Sequence, residues 1–567
     1  MARSLNLCRR DINLSALFFS ALVGPHLSLL NAPLKISGAA FVALIILLSI
    51  TTNCQADSIE STQPNIVIIM ADDMGYSDLG CYGGEIETPN IDNLASNGVR
   101  FTQFYNTARC CPTRAALLTG LYQHQAGIGH MVGDYGVPSY QGRLNDQCLT
   151  IAEALKPAGY MTLATGKWHV GSDRGHWPLD RGFDRYFGTP SGGGFYFKEA
   201  IQFRKRFVTL GNEEVEFPDN GYVTDLFTEH AIDFVDEAAQ GDKPFFLYLA
   251  HIAPHWPLQA KPEDIAKYNK GRYDEGWDAI RAARYERQLK SGLIDRQWKI
   301  SPRHKDAKPW SEMSDEKKAD LSHRMSVYAA QIDSIDQNVG LLTTKLKELG
   351  KFENTIIMFL SDNGCSAEGG PGGFRRGDKT KPIGTGATYA SAGLEWANVS
   401  DTPFQKFKMS TQEGGISTPL IVHWPAGLKR RGDFEREPGH VVDLMPTSLA
   451  LADATFPEQH NGKTLKPLAG RSLLPALRGE KIHRDGIFWE HQGNKAVRVG
   501  DWKLVKSHKG PWQLFNLASD RTELSDVSKK HPARVRDLTA RWNAWAKRSG
   551  VLPWPIKKKK TVKAARQ

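Results

Sequence analysis

The chain alternates short apolar runs, rich in β-branched residues, with longer stretches of helical periodicity. Five runs stand out: Asn65–Met70, Met161–Thr165, Pro244–Ala250, Thr355–Leu360 and Pro419–His423. Apolar runs without polar alternation are typical of strands that are covered on both faces. In the clearest helical pattern, apolar residues from Met325 to Leu349 recur at helical spacing and stop at Gly350. This alternation predicts an α/β fold with a large, mostly parallel sheet flanked by helices.

The pattern changes towards the C-terminus. Short apolar runs separated by turns occupy residues 485–517, and a helical pattern follows at about 531–549. These features predict a small C-terminal antiparallel sheet plus a helix. We therefore divide the chain into a leader at 1–56, a large α/β domain at 64–465, a C-terminal subdomain at 466–555 and a basic tail at 556–567. The polar or glycine-rich segments 269–320 and 365–402 show little strand pattern and are predicted to be long loops that carry selectivity.

The net charge of +10 is concentrated at the two ends of the chain. Residues 1–56 contribute +3 and residues 557–567 contribute +6, so the remainder is near +1. This distribution argues against a basic body that wraps nucleic acid. The Lys557–Lys560 run is predicted to be a solvated tail, with binding of a polyanionic polysaccharide as the alternative.

The leader has the features of a secretory signal. Lys35 precedes the apolar run Ile36–Ile50, and the small residue Ala56 follows it. The run is shorter than the roughly 20 residues that a membrane-spanning helix needs. We expect export to the periplasm or the exterior, with no stable membrane span after leader cleavage; an uncleaved anchor is the alternative.

A cysteine lies at the predicted start of a helix in the segment Arg109-Cys110-Cys111-Pro112-Thr113-Arg114. Proline suits the first position of a helix, so Pro112 is predicted there, with Cys110 just outside the N-terminus. Free N–H groups and the helix dipole favour negative charge at that point, and Arg114 adds a cation. Cys110 is therefore positioned to act on an anion. The spacing of the other cysteines indicates neither a zinc site nor a disulfide scaffold, and the bridging of Cys81, Cys111, Cys148 and Cys365 stays open.

Polar motifs follow four of the predicted strands: Asp72-Asp73, Gly166-Lys167-Trp168-His169, His251 to His255, and Asp362-Asn363. In open α/β sheets, ligands bind at the carboxyl ends of strands, so the motifs are predicted to converge on one rim. Asp72, Asp73, Asp362 and Asn363 form an oxygen-only set that suits Ca²⁺ or Mg²⁺ rather than zinc.

These motifs resemble those of the type I sulfatases. In that family the first cysteine of C-x-P-[ST]-R, here Cys110, is oxidised to formylglycine, whose hydrate attacks the sulfur of a sulfate ester. The resemblance runs from about Asn65 to the C-terminal helix and looks closest to bacterial arylsulfatases, through Ala253–Gln259 and Glu413–Leu420. It implies an alkaline-phosphatase-like fold, one Ca²⁺ held by the oxygen-only set and by the converted Cys110, and a formylglycine-generating maturation enzyme as partner.

The resemblance also implies a catalytic set, which comprises Cys110, Arg114, Lys167, His169, His255 and Lys408. Arg114, Lys167 and Lys408 would surround the sulfate oxygens, and His255 or Lys408 would protonate the leaving oxygen. His169 would take the proton that releases sulfate. His251 is interpreted as structural, and the spacing to Glu413 favours Lys408 over Lys406.

Three other interpretations stay open at this point. The chain could be a phosphonate or phosphate ester hydrolase of the same superfamily, because the esters share a shape. It could be an inactive binding protein that keeps the fold, although the intact Cys110 and acidic set argue against this. Cys110 and Cys111 could also be redox or disulfide cysteines, which would leave the acidic set unexplained. The sulfated alcohol and the oligomeric state are not readable from the sequence.

Overall fold

The five predicted strand runs lie together in one large sheet. The computed structural model describes residues 63–556, so the predicted leader and the lysines of the tail lie outside the described part. The strands are β1 Asn65–Asp72, β2 Val99–Tyr105, β3 Met161–Lys167, β4 Arg185–Thr189, β5 Val208–Leu210, β6 Glu213–Val215, β7 Phe245–Pro254, β8 Thr355–Ser361, β9 Arg375–Gly377, β10 Thr388–Ala390, β11 Ser417–His423, β12 Asp433–Glu435, β13 Gly439–His440, β14 Gln459–His460, β15 Lys463–Thr464, β16 Ile487–His491, β17 Asn494–Val499, β18 Trp502–Lys506 and β19 Gln513–Asn516.

Helices flank this sheet. They are α1 Pro89–Ser96, α2 Cys110–Thr119, α3 Gln123–Ala126, α4 Ile151–Leu155, α5 Val223–Ala239, α6 Pro262–Tyr268, α7 Gly276–Ser291, α8 Asp315–Glu348, α9 Leu394–Ser400, α10 Glu413–Ile416, α11 Leu444–Leu451, α12 Leu474–Leu477 and α13 Pro532–Ser549. The helix with the clearest sequence pattern, α8, is also the longest of the described part, at 34 residues.

The large sheet is mostly parallel, as predicted, and includes some antiparallel pairings. Its strand order is β12-β2-β11-β8-β1-β7-β3-β4-β5-β6, with β13 paired to β2. The central strands β8, β1, β7, β3 and β4 are parallel to one another. Strand β11 runs antiparallel to both β8 and β2. The composition of a buried run does not encode its direction, so the sequence could not show this reversal.

The sheet is covered on both faces, as its uninterrupted apolar strands require. All eight residues of β1 are buried. Because successive side chains of a strand point to opposite faces, Val67 and Ile69 pack with α5 and α8, while Ile66 and Ile68 pack with α2 and α11. The central strands are thus packed on both faces, and their carboxyl ends lie side by side.

The C-terminal part contains the predicted small antiparallel sheet, in the order β16-β17-β18-β19, followed by α13. Four of its residues, one from each strand, join the core on the α2 face of the large sheet. The apolar cluster that contains Leu117 also includes Phe488, Val497, Leu504 and Leu514. Trp542 and Trp545 of α13 extend that cluster.

Three local expectations differ from the structure. Cys110 is the first residue of α2, with Arg109 as the N-cap, so Pro112 occupies the third helical position rather than the first. Segment 269–320 contains α7, whose buried side includes Arg281, Arg284 and Gln288, and this polar burial concealed the helix. Segment 365–402 contains the hairpin β9–β10 and helix α9.

Within residues 63–556, no helix is both long enough and apolar enough to cross a bilayer. The five cysteines in this range are all free thiols, which answers the question left open by the sequence for Cys81, Cys111, Cys148 and Cys365.

Candidate active site

Two neighbouring parallel strands deliver the acidic residues to one point. Strand β1 ends at Asp72 and β8 at Ser361, and Ala71 is in register with Ser361. Asp73 and Asp362 follow the two strands and meet, because the Asp73 backbone N–H donates to Asp362 Oδ1 at 3.2 Å. Asn363 Nδ2 donates to Asp73 Oδ1 at 2.6 Å. The structure therefore brings together the four residues of the oxygen-only set.

Each carboxylate of this set faces a buried cation. Lys167, at the end of β3, forms an ion pair with Asp72. Arg114 Nη2 lies 2.9 Å from Asp362 Oδ2, and Lys408 Nζ lies 2.8 Å from Asp73 Oδ2. These three pairs set three buried cations against three buried carboxylates in a site that is almost wholly closed to water. Burial and the neighbouring Asp72 raise the pKa of Asp362, while Arg114 and Lys167 oppose this shift.

The pairing shows in the protonation of these groups. Burial alone would raise the pKa of Asp72, but Lys167, His255 and Arg114 hold it below its usual range. Burial alone would lower the pKa of Lys408, but Asp73 and Glu368 raise it. The aspartate is thus ionised and the lysine protonated at neutral pH.

The oxygen-only set has unused ligand capacity. Within residues 63–556, the buried atoms Asp72 Oδ1 and Asn363 Oδ1 have no hydrogen-bond partner. Burying a carboxylate or amide oxygen without a partner costs free energy, which a bound ligand would offset. Hard oxygen donors with free lone pairs fit a divalent cation such as Ca²⁺. His255 lies at the same place, since its ligand atom and those of Asp72 and Asp73 are all within 4.8 Å of one another.

Cys110 occupies the first turn of α2 and is 2 % exposed. Its sulfur lies within 4.8 Å of the ligand atoms of Cys111 and His169. The Cys111 thiol, together with Lys167 and His169, holds the pKa of the Cys110 thiol well below its usual range. The surroundings of Cys110 therefore favour negative charge at this position, as its place at the helix start predicted.

His169 borders Cys110 in a strained conformation. Its φ of 59° lies in the left-handed region, which is uncommon for residues other than glycine. Within residues 63–556, its Nδ1 has no hydrogen-bond partner. Burial lowers the pKa of His169 to about 4, so the ring is neutral at pH 7 and able to accept a proton.

His255 lies beside the acidic set and is also held neutral. Its Nδ1 is 2.5 Å from the Trp256 carbonyl oxygen and therefore carries a proton that it donates to that oxygen. Its Nε2 is 3.6 Å from Asp73 Oδ2. Burial lowers the pKa of His255, although Asp73 offsets part of this effect. The fully buried His251, interpreted from the sequence as structural, has no partner for either ring nitrogen within residues 63–556.

The sequence missed several neighbours of this site. The Glu368 carboxylate accepts a hydrogen bond from Trp256 Nε1 and lies 3.9 Å from both Lys408 Nζ and Arg109 Nη2. The Tyr248 hydroxyl lies 3.4 Å from Arg114 Nη1. Glu368 belongs to a glycine-rich segment without a recognisable pattern, and only the fold brings it to the site.

Comparison with known proteins places this geometry in a family. The sulfatase family model matches residues 64–454, and the model described as N-sulphoglucosamine sulphohydrolase, C-terminal, matches residues 404–543. An arylsulfatase of Klebsiella aerogenes is 34% identical over 434 residues, which cover 74% of this chain and 93% of the relative. The N-acetylgalactosamine-6-sulfatase of Canis lupus familiaris is 30% identical over 485 residues, covering 82% and 76% of the two chains.

The fold leads to the same family. The crystal structure of Ps i-CgsB in complex with k-i-k-neocarrahexaose superposes with a TM-score of 0.64 at 31% identity, and the match covers 86% of this chain and 93% of that one. The large central sheet flanked by helices and the small C-terminal sheet confirm the predicted alkaline-phosphatase-like architecture. The chain belongs to the type I sulfatase family and is a sulfuric ester hydrolase.

Proposed function

We propose that this sulfatase cleaves its ester with a formylglycine made from Cys110 and with one Ca²⁺ held by Asp72, Asp73, Asp362 and Asn363. The observation that carries the proposal is the convergence, next to Cys110, of three buried ion pairs and two oxygen atoms that lack partners among residues 63–556. One relative is named an arylsulfatase and another an N-acetylgalactosamine-6-sulfatase, so aryl sulfates and sugar sulfates are both candidate substrates.

When present, the formylglycine hydrate and the Ca²⁺ would together supply a polarised hydroxyl nucleophile. The protein's own contribution is electrostatic. Arg114, Lys167 and Lys408 concentrate three positive charges around the position of the sulfate oxygens. A lysine has three N–H donors, so Lys167 and Lys408 can each hold an aspartate and still donate to a sulfate oxygen.

The protonation states of His169, His255 and Lys408 indicate which residue accepts a proton and which donates one. His169 is neutral and beside Cys110, so it is suited to accept a proton from a hydroxyl at that position. Lys408 holds a proton that it can donate to the leaving oxygen, although Asp73 and Glu368 make it a weaker acid than an ordinary lysine. His255 is a poorer donor, because its Nδ1 proton is engaged with the Trp256 carbonyl and its pKa is lowered. Lys408 is therefore the better proton donor of the two candidates that the sequence left open.

Cys110 must be converted to formylglycine, because a cysteine offers no second hydroxyl from which sulfate can be expelled. The oxidation of a thiol to an aldehyde in turn requires a formylglycine-generating maturation enzyme. The apolar leader is consistent with export to the periplasm or the exterior.

The decisive measurement is mass spectrometry of the peptide that contains Arg109–Arg114, from protein purified from its native host. We expect an aldehyde mass at Cys110. Replacement Cys110→Ala is expected to abolish hydrolysis of para-nitrophenyl sulfate, while an aryl phosphate diester assayed in parallel measures the competing ester class. An unmodified thiol in folded, metal-loaded and active protein would refute the scheme.

A further inference from the structure

Two arginines, Arg204 and Arg206, flank the outer end of the active site. They follow a short helical turn at Lys198–Phe203. Arg204 is exposed and Arg206 is half-buried. Neither residue belongs to the set of groups described above, and neither takes part in the proposed chemistry.

A turn of three glycines connects these arginines to His169. A Cβ on Gly192 would lie 2.8 Å from His169 Nε2, so this glycine packs directly on the imidazole. Arg206 Nε donates to the carbonyl oxygen of Gly193 at 3.1 Å. A Cβ on Gly194 would lie 3.0 Å from Arg204 Cδ. The same turn therefore contacts the histidine and both arginines.

A second chain of contacts connects Arg204 to the opposite wall of the site. Its guanidinium carbon lies 4.1 Å from the centre of the Trp256 ring. The Trp256 ring is tilted by 38° against that of His255, with ring centres 4.6 Å apart. Trp256 also donates to Glu368, the carboxylate near Lys408. The arginines thus lie between the His169 side and the His255 side, at the outer end of the site.

Both guanidinium groups are held by one nitrogen and free at the others. Arg204 Nε donates to the Tyr389 hydroxyl at 2.8 Å, and Arg206 Nε donates to Gly193 as above. Among residues 63–556, neither arginine forms an ion pair, and their Nη atoms have no protein acceptor. A guanidinium fixed through Nε presents its two Nη groups as a fork that matches a carboxylate or a sulfate.

We propose that Arg204 and Arg206 bind a second anionic group, on the alcohol portion of the substrate. The preferred substrate class is then a sulfate ester whose alcohol carries another sulfate or a carboxylate. This inference rests on the proposed function, because it takes the position of the reacting sulfate from it. The carboxylate of Glu368 accepts from Nε1 at the edge of the Trp256 ring, and its negative charge disfavours a second anion there.

Competitive inhibition measures this site without requiring that the competitor be cleaved. The assay follows hydrolysis of para-nitrophenyl sulfate in the presence of matched aryl sulfonates. On the benzene ring, benzenesulfonate is compared with meta-benzenedisulfonate and with meta-sulfobenzoate. On the naphthalene ring, a monosulfonate is compared with a disulfonate. The two ring sizes test two spacings, and sulfobenzoate distinguishes a carboxylate from a second sulfonate. The readout is the ratio of the inhibition constants of each monoanion and its dianion, which is independent of basal activity.

We expect a dianion of matching spacing to bind about 10-fold more tightly than its monoanion, the effect of one or two charge-assisted hydrogen bonds. The double replacement Arg204→Gln and Arg206→Gln is expected to bring the ratio near 1, and the exposed single change Arg204→Gln to lower it in part. Arg174→Gln is the matched control, because Arg174 is also exposed and stacked on a tryptophan, with its guanidinium carbon 4.9 Å from the Trp177 ring centre.

Two results would overturn the inference: equal inhibition by mono- and dianions of both ring sizes in the natural protein, or a preference that survives the double replacement. The proposed function fails separately if active protein carries an unmodified thiol at Cys110. A protein specific for sugar sulfates would hydrolyse no aryl sulfate. Calorimetric titration of the same sulfonates then still reports whether the arginines select a dianion.

Discussion

At the scale of single residues, the two candidates for the proton donor can be separated by the leaving group. Lys408→Ala should lower kcat/KM by about 10²–10⁴-fold for sulfates of poorly acidic alcohols and much less for nitrophenyl sulfate, since an acidic phenol leaves without a proton. His255→Ala should lower the rate for both substrates by a similar factor. The measurement is kcat/KM across a series of aryl and alkyl sulfates.

Lys406→Asn provides the control for that series. Lys406 has a φ of 67°, a conformation that asparagine tolerates, and it lies two residues from Lys408. We expect its replacement to leave the whole series within about twofold of the natural protein, as changes away from buried networks usually do. A leaving-group dependence that follows His255 rather than Lys408 would reverse the assignment.

At the scale of elements, the glycine turn behind His169 should be intolerant of side chains. Gly192→Ala would place a methyl group only 2.8 Å from the imidazole Nε2, and Gly192 has a φ of 102°. We expect a loss of kcat of at least about 10-fold, because a displaced base misses the reacting group. The assay is para-nitrophenyl sulfate hydrolysis, accompanied by thermal unfolding.

Gly175→Ala separates the effect of the backbone from that of the contact. Gly175 has a φ of 85°, and none of the described residues lies within 4 Å of an added Cβ. Its replacement should cost stability by roughly 1–3 kcal/mol, as Gly192→Ala also should, but leave kcat unchanged. Equal kcat losses in the two variants would mean that the turn does not position His169.

The elements also show how far a sequence can predict such a site. Asp72-Asp73 and Asp362-Asn363 follow apolar runs. Because strand ends converge in α/β sheets, this position was enough to predict that the two pairs lie close together. Strand β2 was missed because Arg100 and Gln103 interrupt its apolar pattern. Glu368, Arg204 and Arg206 lie in polar segments without periodicity, so their approach to the site depends on long-range packing that no local pattern encodes.

At the scale of the whole molecule, a buried ion network joins the C-terminal sheet to the large one. Lys503 Nζ of β18 lies 2.8 Å from carboxylate oxygens of both Glu413 and Glu523, and Arg521 Nε lies 3.0 Å from Glu413 Oε2. Arg521 also donates to Ser417 Oγ at 2.6 Å, at the start of β11. Within residues 63–556, removal of Lys503 would take away the ion-pair partner of the buried Glu523, whereas Glu413 would keep Arg521.

Lys503→Met should therefore destabilise the protein by about 3–5 kcal/mol, the usual cost of breaking a buried pair. Lys506→Met, a change of the same type on a half-buried residue of the same strand, should cost less than about 1 kcal/mol. Chemical denaturation measures both values. If the two variants are equally stable, the network does not hold the C-terminal sheet in place.

The same network should make stability depend on pH through Glu523. Burial raises the pKa of Glu523 to about 7, although Lys503 opposes the shift, whereas an unfolded glutamate titrates near its ordinary value of 4.5. The folded state then binds more protons than the unfolded state between these two values. The contribution of Glu523 to stability is full below about pH 4.5 and is lost as the pH rises through 7.

Glu523→Gln imitates the protonated side chain at every pH and should remove this dependence. Relative to the variant, the natural protein should lose roughly 1–3 kcal/mol of unfolding free energy between about pH 5 and pH 8. Denaturation of both proteins across that range measures the difference, with Asp501→Asn as the control because Asp501 is an exposed acid of the same C-terminal sheet region. A difference that stays constant with pH would show that Glu523 is already ionised in the folded protein at the acidic end of the range, with Lys503 outweighing its burial.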